Sequence, residues 1–158
     1  MRLLRSDKDH LVFLLSGGEK DVLLDVLKLY PCVPPAHHRL RHAAHTPKDE
    51  ENQRLLDEAL AEQRARNKRQ LQALLNDAET FQATEKRWRF KLRRSDFEWV
   101  IQVLNDVRVG SWLALGSPEA LPRRFPEDPE TAPQVFAMEL AGLFQMALLE
   151  AVEGDAGL

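Results

Sequence analysis

The segment from Val135 to Val152 leaves almost no side suited to water. Val135, Phe136, Met138, Leu140, Leu143, Phe144, Met146, Leu148, Leu149 and Val152 spread over the whole circumference of the helix they would form. A helix that is apolar all round must be a central packing element, or must share its surface with a second subunit. Glu139, Gln145 and Glu150 interrupt the segment, and it falls short of the roughly 20 residues of a bilayer span. The expectation is a soluble protein whose C-terminal helix packs inward on one side and supports a homodimer on the other.

The partner for the inner side is legible nearby. Ser95 and Glu98 stand at capping-box spacing, and Phe97, Val100, Ile101, Leu104, Val107 and Ser111 then recur at helical intervals. This predicts a central helix. Arg108 falls about 40° from Leu104 on the helical wheel, inside the apolar face. A buried guanidinium without a partner costs several kcal/mol, so a carboxylate should meet it. Glu139 or Glu150, within about 20° of each other on the last helix, could supply it. Arg108, Glu139 and Asn105, at the edge of the apolar face, are therefore expected to form a structural polar lock. Asp106 falls opposite Leu104 and is expected to face solvent or a partner.

The rest of the chain predicts a mainly α protein with a small antiparallel sheet, four to five helices in a single domain over residues 1–158. Two short apolar runs flank Ser6-Asp7-Lys8-Asp9-His10 and suggest an N-terminal hairpin. Ser16-Gly17-Gly18-Glu19 repeats the capping-box pattern before an amphipathic helix that stops at Pro31. Residues 31–46 form an irregular connection rich in histidine and proline. Thr46-Pro47-Lys48-Asp49 opens a helix that can run to Asp77. Its middle, Glu62 to Gln70, is polar almost all round. Either it projects into solvent or the helix breaks there. Residues 117–133 read as a proline-rich crossover and 153–158 as a flexible tail.

Between Lys86 and Arg94, Trp88, Phe90 and Leu92 alternate with Arg87, Arg89, Lys91 and Arg93, the period of a half-buried strand with a cationic outer face. This strand would add to the hairpin. Lys86, Arg87, Arg89, Lys91 and Arg93 could contact phosphates along an exposed edge, or could protect that edge from aggregation. Four of the five histidines lie between residues 37 and 45. On a helix His38, His42 and His45 would share a face able to hold a transition metal, but no carboxylate or cysteine accompanies them. The other reading is a solvated loop, and no cofactor is expected.

The pattern from Leu92 through Ser95, Asp96, Trp99, Val100, Asn105, Asp106 and Arg108 to Val109 resembles a bacterial family of unknown function. That family is best represented in actinobacteria, where its genes often neighbour the adaptor of the Clp protease. The resemblance implies a mainly helical fold with a small sheet and an intracellular regulatory or adaptor role, and supplies no catalytic residues. The residues agree with that direction. No phosphate-cradling glycine motif and no nucleophile–base pair is readable, and the lone Cys32 fits a reducing cytoplasm. The expected function is a non-enzymatic interaction or regulatory protein with an unknown protein partner. A nucleic-acid-binding transcriptional regulator using residues 86–94 is the alternative.

Overall fold

Period-two burial defines the sheet. A computed structural model describes residues 1–38, 47–119 and 128–155. Strands β1 (Arg2–Ser6), β2 (His10–Leu15), β3 (Phe81–Ala83) and β4 (Trp88–Arg93) form one antiparallel sheet in the order β1-β2-β4-β3. Leu11, Phe13 and Leu15 of β2, with Phe90 and Leu92 of β4, are sealed on one face, while the residues between them stay half-buried or exposed. Phe90 stacks on Phe13 at 6.0 Å and on Phe81 at 4.9 Å between ring centroids. The β1–β2 turn is closed by Asp7, whose Oδ1 accepts from the backbone N–H groups of Asp9 and His10.

Strand β3 was not expected, because three residues are too few to show a period. Its presence corrects the place of the basic strand. β4 pairs with β2 along its whole length and with β3 over residues 88–90, so its first half is interior to the sheet.

Among the described residues, four helices complete the α+β architecture. Helix α1 (Gly17–Lys28) opens on the expected capping box: Glu19 N–H donates to Ser16 Oγ at 3.1 Å, and Ser16 N–H to the Glu19 carboxylate at 2.7 Å. A short 3-10 turn at Pro35–His38 follows. Helix α2 (Pro47–Asn76) is one unbroken helix of 30 residues. The part that projects is not the polar middle but the N-terminal part, where Leu55 is 51% exposed. The middle is anchored by polar groups, with Asn67 buried among them and Leu71 and Leu74 packed just beyond.

Helix α3 (Phe97–Ala114) is the centre of the core. Val100, Val103, Leu104 and Val107 are at most 1% exposed, and Trp99 and Ser111 are also buried. Its start differs from the capping-box expectation. Arg94–Asp96 forms a 3-10 turn, and no side chain caps α3. Asp96 is occupied elsewhere, accepting from Arg93 Nε at 2.6 Å and from Trp99 Nε1 at 3.2 Å. Helix α4 (Ala132–Asp155) packs along α3 through Ala137, Ala141, Phe144 and Leu148. It runs past Val152 to Asp155, into the segment expected to be a flexible tail, and is, among the described residues, the one helix long and apolar enough to cross a bilayer.

Candidate functional site

The two long flanks of α3 carry the polar residues singled out in the sequence, and both are arranged differently from expectation. On one flank, Asp106 is not turned toward solvent. Its Oδ1 accepts from the backbone N–H groups of Cys32 at 2.5 Å and Val33 at 3.2 Å. The reason is the loop after α1, which folds back onto this flank and has backbone donors to satisfy. Gly110 permits the approach: a Cβ there would lie 2.3 Å from Cys32 Cβ and 2.7 Å from Val33 N. The mid-helix glycine was the one sequence signal of this contact.

Helix α2 closes the same seam. The Arg64 guanidinium donates to the Val33 carbonyl, Asn67 Nδ2 to the Tyr30 hydroxyl at 3.4 Å, and Gln63 Nε2 to Asn67 Oδ1 at 3.1 Å. A small cavity of about 270 Å³ remains between Tyr30, Gln63, Asn67, Gln102 and Asp106. Burial and the neighbouring Asp106 carboxylate push the Cys32 thiol up to about 11. It is therefore protonated near neutral pH, and its Sγ donates to the Leu29 carbonyl at 3.1 Å. A nucleophilic thiolate would need the opposite shift.

On the other flank the expected lock of Arg108, Glu139 and Asn105 is absent. All three residues are exposed. Among the described residues, Arg108 has no carboxylate within 4.0 Å and makes only a 3.4 Å contact from Nη2 to Asn105 Oδ1. The buried arc of α3 does not centre on Leu104, although Leu104 itself is sealed. The buried arc is shifted toward Val103, Val107, Gly110 and Ser111, and Arg108 is left at its rim. The Arg108 stem lies over Gly142, whose Cβ would sit 3.6 Å from Arg108 Cδ.

Arg108 and Glu139 instead line a groove of about 860 Å³ between α3 and α4. Val109, Trp112, Met138, Leu143, Met146 and Leu149 supply its apolar surface, and Glu139, Glu150 and Glu153 its rim. Leu143 is 56% exposed, Met146 51% and Leu149 40%. They recur at helical spacing on one stripe of α4.

The basic residues of 86–94 divide into two groups, apart from Arg94, which sits in the 3-10 turn and donates from Nε to the Asp7 carbonyl at 2.7 Å. Lys86 and Arg87 stand exposed in the β3–β4 turn. Arg89, Lys91 and Arg93 point from β4 to the sheet face away from the core; Arg89 lies where β3 covers the strand, and Arg93 lies beyond that pairing. Trp88, Phe90 and Leu92 point inward as expected, and Lys20 Nζ lies 4.1 Å from the centre of the Trp88 ring. His42, His45 and the side chain of His38 lie outside the described residues. Among the described residues no group of three histidine, cysteine or acidic side chains is placed to hold a metal ion.

Compared with known proteins, the chain matches no family model, no curated sequence and no solved structure.

Proposed function

We propose that the protein is a non-enzymatic interaction module whose α3–α4 groove receives an amphipathic helix of a partner protein, one that carries lysine or arginine beside its apolar face. The observation that carries this reading is the stripe of Leu143, Met146 and Leu149, each at least 40% exposed beside a long concavity. Exposed apolar surface of this kind, rimmed by polar groups, marks interaction sites, and a helix laid in a groove is a recurrent way to fill one.

Charge selects among occupants. The rim holds Glu139, Glu150 and Glu153, and Arg108 is the one basic residue lining the groove among those described. A second copy of α4 laid antiparallel about Met146 would set Leu143 opposite Leu149, but also Glu139 opposite Glu153, opposing like charges. A basic partner helix meets no such conflict. This reading takes the protein to be cytoplasmic, with α4 held by its own core rather than by a membrane. It is of the same kind as the adaptor role implied by the resemblance of residues 92–109.

A photoreactive residue substituted at Met146, in cells of the protein's own host, tests it. The expected product is a crosslink to a different protein through a segment containing lysine or arginine, lost when Glu150→Lys is added. The same probe at Leu55 on α2 should not give that product. Crosslinks only to a second copy, or only within the chain, would overturn the reading.

A further inference from the structure

The four strands contain no aspartate or glutamate, in a chain whose net charge is −3. All their basic residues stand on the face away from the core. Arg89, Lys91 and Arg93 form one track along β4, and Arg2 and Arg5 form a second along β1. The register sets Leu14 between Arg89 and Arg2, and Val12 between Lys91 and Arg5. Residues two apart on a strand are separated by about 6.6 Å, and strands two apart by about 9.5 Å. The result is two rows of cations flanking a half-buried apolar floor.

Solubility alone does not explain this placement. Charges that protect a sheet belong on its edges, as Arg2 and Arg5 do on β1, yet the other edge strand, β3, is Phe81-Gln82-Ala83, and β4, which β2 pairs along its whole length, carries three cations. Arg5 is paired with Asp7, and Arg93 with Asp96 at 2.6 Å. Arg2, Arg89 and Lys91 have no carboxylate within 4.0 Å among the described residues. These three cations, none of them in an ion pair among the described residues, surround Leu14 and Val12; at the far end of the β4 track Lys91 and Arg93 share a small cavity with Asp77, Glu79 and Asp96.

We infer that this face binds single-stranded nucleic acid through its phosphates. Cations repeating along a strand suit a repeating anion. The floor of Val12 and Leu14 lies below the tips of the long basic side chains, so it can receive an unpaired base, which a duplex or a bilayer surface does not offer. No aromatic ring of the sheet faces this side, since Phe13, Phe81, Trp88 and Phe90 all point to the core side. Binding without a stacking platform should be indifferent to sequence and steeply dependent on salt. The inference is independent of the α3–α4 groove.

Fluorescence anisotropy with a labelled, mixed-sequence single-stranded DNA oligonucleotide tests it. Binding is expected at low salt, with log Kd rising against log salt at a slope of about 2 for three phosphates neutralised. The double substitution Arg89→Ala and Lys91→Ala should raise Kd about tenfold or more and remove over half of that slope. Should that variant fold poorly, Arg89→Gln with Lys91→Gln removes the same charge while retaining bulk. Lys68→Ala with Arg69→Ala on α2, an equal change of charge elsewhere, should shift Kd less than about twofold. The inference is overturned by no binding at low salt, by an equal loss in the α2 variant, or by equal or tighter binding to a duplex of the same sequence or to phosphatidylserine vesicles.

Discussion

Asp106 and Arg108 stand two residues apart on α3 and have opposite fates. On the side of Asp106 the helix is closed: the loop after α1 presses on Gly110, two backbone amides donate to one carboxylate, and α2 seals the seam with Asn67 and Arg64. On the side of Arg108 it is open, and the guanidinium lies over a groove whose other wall leaves leucine and methionine in water. The difference teaches where each charge is used. The carboxylate holds the molecule together, whereas the guanidinium belongs to a surface.

The contrast is sharpest at Gly110. Gly110→Ala must displace the Cys32 and Val33 backbone, and we expect a loss of about 3 kcal/mol or more in denaturant unfolding. A loss below about 1 kcal/mol would show that the loop yields freely, and the closed flank would not be closed. Next comes Asp106→Ala, which strands two partly buried N–H groups. A loss of about 2 kcal/mol is expected, with Asp106→Asn milder because one acceptor oxygen remains. Smallest should be Arg108→Ala and Glu139→Ala, each within about 0.5 kcal/mol of the parent protein. A loss of about 3 kcal/mol in either would restore a buried pair and erase the contrast.

Local physics was readable from the chain. The alternation in β2 and β4, the Ser16–Glu19 box and the apolar face of α3 each express a period or a cap contained within a few residues. What escaped was set by contacts distant in sequence. The partners of Asp106 lie 74 and 73 residues away. No wheel drawn on α3 alone could find them, and the same wheel put Arg108 inside by assuming that the buried arc centres on Leu104. The Ser95 cap was lost to competition: Arg93 and Trp99 hold Asp96 in place within a 3-10 turn, so the helix begins later. The cationic track of β4 was visible, but its partner track on β1 and its partly interior position required the register.

Helix α2 is fastened at one end. Residues 47–59 cover almost none of the core, whereas Asn67, Leu71 and Leu74 are sealed within it. One continuous helix therefore crosses a boundary between cooperative units. Its first turns can open and reclose while the rest of the protein stays intact, since little buried surface is given up. Opening its last turns requires the core to part, and their amides should share the protection of the whole fold.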